Sequence, residues 1–271
     1  MQRYLIKIGS RIFPQLLVNL AYHKLANPQI RKLRSHELEI LEKAVVDTVD
    51  FRGFQIKTYR WGNGEKKILL VHGWEGQAGN FSDLVELLVS NQYTVYSFDG
   101  PSHGFSSRGK TSLFEFSDLV VEQIREHQIS RIVSHSFGGV ATVFALYRNQ
   151  DLQIDKYALL TTPDRFLDRI NDVSHKVGIS NGVKNRLINR IEREYGFSVG
   201  DLNVSDFAEK TGVKKALIIH DREDKVVSIS QSRNVHAKWS VCDFEEIKGT
   251  GHFRILRTPS VLDRVIDFLE S

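Results

Sequence analysis

The sequence predicts an α/β protein with a mostly parallel, doubly wound sheet, and three observations support this fold class. Strand-like and helix-like segments alternate from about residue 54 to the C-terminus, as they do when helices connect the strands of a parallel sheet. Several strand-like segments are continuous apolar runs, such as "KKILLVHG" at 66–73, which is typical of strands buried on both faces. The chain has 271 residues and is 41% hydrophobic, which is sufficient for one large domain.

The predicted strands follow one another at spacings that leave room for a helix between most neighbours. These strands are 54–61, 66–73, 93–100, 131–136, 156–161, 214–221 and 243–249. The helices are predicted from apolar residues at helical spacing. They cover 35–47, 80–91, 112–127 and 138–149, and two more follow the last two strands.

One long gap interrupts this alternation. About 50 residues separate the strand at 156–161 from the strand at 214–221, and residues 163–210 are mainly helical in pattern and rich in polar side chains. Because such a segment is too long for a simple connection, we expect it to form a helical lid on the α/β domain predicted over 51–271. Ligands of open α/β sheets bind at the carboxyl ends of the strands, the edge where we expect this lid.

Residues 1–50 are predicted to form an N-terminal helical arm. Its apolar residues near helical spacing are Leu5, Ile8, Ile12, Leu16 and Leu20. The apolar run at 12–22 is far shorter than the roughly 20 residues that span a bilayer, and it lacks a good signal-cleavage site. We therefore favour a helix packed on the domain. A peripheral membrane contact through residues 1–25 and a cleaved signal are the alternatives.

Composition argues against several classes of function. The net charge is +4, and the basic residues show no patch of the kind that binds nucleic acid. The lone cysteine, Cys242, cannot form an internal disulfide and favours a cytoplasmic location. No metal-binding or phosphate-binding motif is present, so the sequence predicts no metal and no cofactor.

Residues 132–139, "IVSHSFGG", indicate a catalytic nucleophile. Ser136 follows an apolar strand and precedes a helix that starts with small residues. In a nucleophile elbow the serine sits on a strained turn between strand and helix, and the residues two positions away are small. Ser134 stands where the usual motif has glycine, and it is small enough to fit.

A serine needs a histidine that accepts its proton and a carboxylate that orients the histidine. This fold expects the order Ser, Asp, His. "DREDKVV" follows the strand at 214–221 and offers Asp221 and Asp224, while "TGHFRIL" follows the last strand and offers His252. We prefer Asp224 because it lies within the loop, whereas Asp221 ends the strand and is expected to cap the turn. Asp164 is a third candidate for the acid.

The developing oxyanion requires hydrogen-bond donors. The N–H of Phe137, directly after Ser136, is one predicted donor. The loop "HGWEG" at 72–76 offers the second through the N–H of Trp74, because its glycines allow a close backbone approach. His72, His103 and His135 are expected to brace these loops rather than to act as bases.

These motifs give the chain a family resemblance. Residues 54–271 resemble serine-type enzymes of the α/β-hydrolase fold, and the narrower likeness is to bacterial α/β-hydrolases. The matching motifs occur in the family's order and are "LLVHGWEG", "FDGPSHGFS", "SHSFGG", "HDREDKVV" and "GTGHFRIL". The resemblance implies Ser136 as nucleophile, Asp224 as acid and His252 as base, with Trp74 and Phe137 as oxyanion donors.

The sequence therefore predicts a serine hydrolase, with a small-molecule carboxylic ester as the expected substrate and two-step acyl transfer as the mechanism. Thioester, amide and carbon–carbon bond cleavage remain alternatives because one fold hosts many chemistries. A hydrolase that acts on lipids or thioesters at a membrane surface is another alternative. A binding module that keeps the hydrolase shape without catalysis is an alternative from a different class.

Overall fold

The computed structural model of the protein describes residues 6, 10, 12–29 and 32–271, so Leu5 and Ile8 of the predicted amphipathic segment lie outside the described residues. Two compact units are present. The sheet unit comprises residues 28–164 and 204–271, and the helical unit comprises residues 1–27 and 165–203.

Eight strands form one sheet in the sheet unit. They are β1 Val45–Phe51, β2 Phe54–Trp61, β3 Lys66–Val71, β4 Tyr93–Phe98, β5 Arg131–His135, β6 Ile154–Leu160, β7 Val213–Asp221 and β8 Cys242–Ile247. Their order is β1-β2-β4-β3-β5-β6-β7-β8. The pairs β1–β2 and β2–β4 are antiparallel, and all other neighbours are parallel. The predicted mostly parallel, doubly wound sheet is thus confirmed.

The helices of the sheet unit lie before, between and after its strands. They are α2 Ser35–Glu42, α3 Ser82–Ser90, α4 Leu113–His127, α5 Phe137–Arg148, α8 Val204–Phe207, α9 Ile229–Lys238, α10 Gly251–Arg254 and α11 Pro259–Glu270. Short 3₁₀ turns cover Ala78–Phe81, Ala208–Lys210 and Ile255–Arg257. Ile68, Leu69, Leu70 and Val71 of β3 are all fully buried. Because successive side chains of a strand point to opposite faces, both faces of the sheet are covered at its centre.

The helix predicted over 35–47 is wrong at its C-terminal end, where the structure has β1. Helix α2 ends at Glu42, and β1 pairs with β2 through a two-residue turn at Arg52 and Gly53. Both turn residues have positive φ, 50° and 83°, as a type I′ hairpin turn requires. The strand was missed because most of its residues are exposed, so it lacks the apolar alternation that identifies a half-buried strand.

The helical unit contains α1 Pro14–Ala26, α6 Phe166–Val177, α7 Asn181–Tyr195 and the 3₁₀ turn Val199–Asp201. The buried side chains of its small core are Tyr22, Ala26, Ile170, Leu187, Ile191 and Val199. The stretch 163–210 is therefore mainly helical, and its use as a lid stays a prediction. Among the described residues, no helix is both long and apolar enough to cross a membrane.

Candidate active site

Ser136 occupies a strained turn between β5 and α5. Its φ of 53° and ψ of −121° lie outside the conformations that a residue with a side chain normally adopts. The turn is held because the Ser136 N–H donates to the carbonyl of Leu160, at 3.0 Å. A Cβ on Gly138 would lie 2.3 Å from the carbonyl oxygen of Val71, so this close approach of helix to strand requires glycine.

Ser134, which replaces the usual first glycine of the elbow, is accommodated in the core. Its side chain is fully buried, and its Oγ lies 2.8 Å from the hydroxyl of Tyr157 on the neighbouring strand β6. A buried hydroxyl without a partner would be costly. The Tyr157 hydroxyl supplies that partner, so the serine fits beside an elbow that keeps its strained conformation.

Asp224 and His252 are in direct contact. Nδ1 of His252 lies 2.8 Å from Oδ2 of Asp224, and both side chains are almost completely shielded from solvent. The other carboxylate oxygen, Oδ1, accepts the N–H groups of Val226 and Val227 at 2.6 and 3.0 Å. Burial by itself would raise the pKa of Asp224, but hydrogen bonds from His220, His252 and the Val227 N–H outweigh it and lower that pKa. The carboxylate is therefore ionised and orients Nδ1–H of His252 towards itself, which leaves Nε2 as an acceptor.

Asp221 anchors the loop that carries His252. Its Oδ2 accepts the N–H and the hydroxyl of Thr250 and the N–H of Gly251, and its Oδ1 accepts the N–H of Glu223 at 2.7 Å. Asp164, the third candidate acid, accepts the N–H of Ser205 through Oδ1. Of the three carboxylates, Asp224 is the one whose hydrogen bond reaches the His252 ring.

Sequence reasoning missed His220, which lies on the other side of Asp224. The His220 ring is fully buried, and its Nε2 is 3.5 Å from Oδ2 of Asp224 and 3.1 Å from the carbonyl oxygen of Val227. Since both neighbours are acceptors, Nε2 must carry a hydrogen. Nδ1 contacts the Oγ of Ser232 at 2.7 Å. The signal in the sequence was the four-residue spacing between His220 and Asp224. Among the described residues, no group of three or more His, Cys, Asp or Glu side chains is arranged so that it could hold a metal ion.

His135 connects the Ser136 turn to the His252 loop. Its Nε2 donates to the carbonyl oxygen of His252 at 2.8 Å, and the two imidazole rings are 4.9 Å apart. Complete burial, with a smaller effect from neighbouring His252, lowers the pKa of His135 to about 3. His135 therefore stays neutral and serves as a fixed brace beside Ser136.

The loop at 72–76 reaches the same edge of the sheet. The N–H of Gly76 donates to the carbonyl of Gly73 at 2.9 Å, and Glu75 adopts a positive φ of 58°, as the third residue of a type II turn does. A Cβ on Gly73 would lie 3.2 Å from the Cβ of Ser136. The rings of Trp74 and Phe137 are 5.3 Å apart. Within the described residues, neither the Trp74 N–H nor the Phe137 N–H donates to a protein acceptor.

Two buried polar residues hold this loop. The Nε2 of His72 accepts the N–H of Gly100 at 2.9 Å, and its Nδ1–H donates to the carbonyl of Gly73 at 2.7 Å. Burial lowers the pKa of His72 to about 4. Asp99 accepts the N–H of Ala78, the N–H of Phe105 and the hydroxyl of Tyr59. These bonds fix the position of the loop that approaches Ser136.

The fold is that of the hydrolases built on an α/β sheet. Residues 68–264 match the model of the alpha/beta hydrolase family, and the chain belongs to this family. The structure thus has the α/β-hydrolase fold that the motifs predict.

Individual relatives are more distant. A serine hydrolase-like protein of Danio rerio is 29% identical over 140 residues, covering 46% of this chain and 43% of that protein. A membrane phospholipase A described as a bacterial virulence factor aligns with 100% of this chain and 98% of its own at a TM-score of 0.66 and 15% identity. The enol-lactonase of Burkholderia xenovorans LB400 aligns with 83% of this chain and 100% of its own at a TM-score of 0.63 and 18% identity. The chain spans less than half the length of the zebrafish relative, and the two structural similarities concern the fold alone.

Proposed function

We propose that this protein is a serine hydrolase that cleaves carboxylic esters, with Ser136 as nucleophile, His252 as base and Asp224 as acid. The observation that carries the proposal is the 2.8 Å contact between His252 Nδ1 and Asp224 Oδ2, combined with the strained turn that displays Ser136. A buried carboxylate bound to one ring nitrogen leaves the other nitrogen free to accept a proton. An ordinary turn would need neither feature.

The reaction proceeds in two steps. Ser136 Oγ attacks the carbonyl carbon while His252 Nε2 accepts the hydroxyl proton, and the N–H groups of Trp74 and Phe137 donate to the oxyanion. The intermediate collapses to an acyl-enzyme when the alkoxide departs with the proton from His252. Water then attacks the acyl carbon with His252 again as base, and Ser136 regains its proton. No cofactor takes part in this scheme.

An ester is the substrate class we propose because an alkoxide is a better leaving group than an amine. The named activities of the phospholipase and the lactonase are of the same kind. Chain order also supports the predicted lid, because α6 and α7 are inserted directly after β6. A cytoplasmic location stays a prediction from the single cysteine.

Covalent labelling by a fluorophosphonate probe tests the proposal. We expect the probe to label Ser136 in the wild type and to leave Ser136→Ala unlabelled, with loss of p-nitrophenyl ester turnover by at least about 10³-fold. Ser134→Ala is the matched control, because this serine lies two residues away and is fully buried. It should keep both labelling and turnover.

Two results would argue against the proposal. Labelling at another residue would assign the nucleophile elsewhere. A folded wild type that neither reacts with the probe nor hydrolyses esters, with or without detergent, would favour a binding module on a hydrolase fold.

A further inference from the structure

Helix α1 of the helical unit has two apolar faces, one buried and one exposed. One face carries Val18, Tyr22 and Ala26, which are all buried, and Tyr22 and Ala26 belong to the core of that unit. The other face carries Leu16 and Leu20, and Ile12 and Phe13 directly precede the helix. We define these four residues as the apolar stripe. These side chains are 61%, 61%, 64% and 52% exposed. They are four of the ten large hydrophobic side chains that are exposed among the described residues, so the stripe concentrates apolar surface on one short segment.

Three arginines of helix α7 lie beside helix α1. An open depression of about 630 Å³ lies between the two helices. Helix α1 contributes Gln15 and Val18 to its lining, and α7 contributes Arg186, Arg190 and Arg193. Glu192 also lines it, but its carboxylate accepts the N–H of Val199 at 3.0 Å. Within the described part of the chain, none of the three arginines forms an ion pair with a carboxylate.

The positive charge of the chain is also concentrated in its N-terminal segment. Residues 1–36 contain seven Lys and Arg side chains and no Asp or Glu. The remaining residues, 37–271, contain 30 basic and 33 acidic side chains. The net positive charge of the protein therefore comes entirely from the N-terminal segment that includes the stripe.

We propose that the apolar stripe docks onto the surface of an anionic phospholipid bilayer. Helices that lie in a bilayer interface combine an exposed apolar face with flanking Lys and Arg residues, and apolar burial and attraction to anionic headgroups both contribute to their binding. The stripe supplies the first contribution. The N-terminal basic residues and the arginines of α7 supply the second. This inference concerns binding and does not depend on the proposed ester hydrolysis.

A second copy of the chain fits this surface less well. In a twofold interface each side contributes the same patch. Two copies joined through the stripe would therefore bring the arginines of α7 and the acid-free N-terminal segments close together, and juxtaposed like charges oppose association. An anionic bilayer neutralises those charges instead.

Co-sedimentation with vesicles tests the proposal on the full-length protein. We expect the wild type to bind vesicles of phosphatidylcholine and phosphatidylglycerol, 7:3, at least about tenfold more strongly than vesicles of phosphatidylcholine alone. Raising the salt concentration from 0.1 to 0.5 M should weaken this binding, because salt screens the headgroup charge. The double variant Leu16→Gln, Leu20→Gln should bind anionic vesicles at least about tenfold more weakly, because two apolar side chains are lost from the stripe.

The matched control is the double variant Val45→Gln, Val46→Gln on β1, whose side chains are 50% and 46% exposed. Its vesicle binding should change less than about twofold, and circular dichroism should show all variants folded. The proposal is overturned if the wild type binds neither vesicle, or if the control loses as much binding as the stripe variant. It is also overturned if the stripe variant binds unchanged while Arg186→Gln, Arg193→Gln abolishes binding. A dimer in analytical ultracentrifugation that only the stripe variant dissociates would assign the surface to a second copy.

Discussion

The two units of the chain organise polar side chains in opposite ways. In the sheet unit, the side chains of Asp224, His252, His220 and Asp99 are shielded from solvent, and each has defined hydrogen-bond partners. In the helical unit the charged side chains are at the surface, and one helix exposes an apolar stripe. The difference suits two kinds of task. Catalysis requires buried polar groups with defined partners. Binding to a bilayer surface requires only exposed apolar area and basic side chains. Three of the predictions below test this comparison by making the same kind of change in both units.

The largest expected effect is on catalysis by Asp224→Asn. Loss of the carboxylate removes the partner that orients His252, and kcat should fall by about 10⁴-fold. The test is steady-state kinetics on a p-nitrophenyl ester with folding checked by circular dichroism. Glu192→Gln in the helical unit, where the carboxylate accepts a backbone N–H, should leave kcat unchanged.

Asp221→Asn separates anchoring from catalysis. Because Asp221 accepts three hydrogen bonds from Thr250 and Gly251, its loss should lower the free energy of unfolding by about 2 kcal/mol. The fall in kcat should stay below about a hundredfold. A loss of kcat as large as that of Asp224→Asn would make Asp221 the catalytic acid.

Much of the sheet unit could be predicted from the sequence because each site motif is tied to a strand end. The apolar runs define where β3, β5 and β7 end, so "HGWEG", "SHSFGG" and "HDREDKVV" could be assigned to one edge without coordinates. The bond from Asp221 to the Glu223 N–H could be predicted from its position at the strand end, but its bonds to Thr250 and Gly251 could not. The contact between His220 and Asp224 could not, because it depends on how the loop after β7 folds back.

The helical unit was less predictable for a physical reason. A helical pattern shows that a segment has an apolar face but does not show which neighbour covers it. Leu16 and Leu20 were as apolar as Val18 in the sequence, yet Val18 is buried and the two leucines are exposed. The edge strand β1 was missed for a related reason, since its exposed side chains carry no apolar alternation.

The next largest effect is expected from adding one methyl group to a glycine. In Gly138→Ala the Cβ would lie 2.3 Å from the carbonyl oxygen of Val71 and 2.5 Å from that of His72. Because backbone must move, the free energy of unfolding should fall by about 3 kcal/mol or more. In the helical unit Gly196 has a φ of 75° and nothing within 4 Å of a Cβ, so Gly196→Ala should cost only about 1 kcal/mol.

Urea titration measures both glycine variants. All three tryptophans, Trp61, Trp74 and Trp239, lie in the sheet unit, so their fluorescence reports on that unit while circular dichroism reports on both. Equal losses for Gly138→Ala and Gly196→Ala would contradict the close packing of the Ser136 turn.

A pH dependence of stability is expected from buried His72. Its folded-state pKa is about 4, whereas an imidazole in the unfolded chain titrates near 6.5. Between these values the unfolded chain binds the extra proton, so the free energy of unfolding is fully present above pH 6.5 and falls as the pH drops towards 4. The loss from His72 should reach about 3 kcal/mol, and buried His135 adds a loss of the same sign.

His72→Gln isolates this contribution. The variant should be less stable than the wild type at neutral pH because two hydrogen bonds of the loop are altered. The difference between the two proteins should narrow by up to about 3 kcal/mol when urea titrations are repeated from pH 7 to pH 4. A difference that stays constant over this range would show that His72 is not held neutral by burial.

The smallest effects are expected from removing one tyrosine hydroxyl in each unit. Tyr59 donates to Oδ2 of fully buried Asp99 at 3.0 Å, so Tyr59→Phe leaves a buried carboxylate short of a partner and should cost about 2 kcal/mol. Tyr22 donates to Glu194 at 2.6 Å, but that carboxylate reaches solvent, and the Tyr22 ring keeps its contact with the Arg190 guanidinium in Tyr22→Phe. The helical-unit variant should therefore lose about 1 kcal/mol or less. Thermal unfolding followed by circular dichroism gives both values, and a larger loss for Tyr22→Phe would mean that the hydrogen bonds of the helical unit are as deeply buried as those around Asp99.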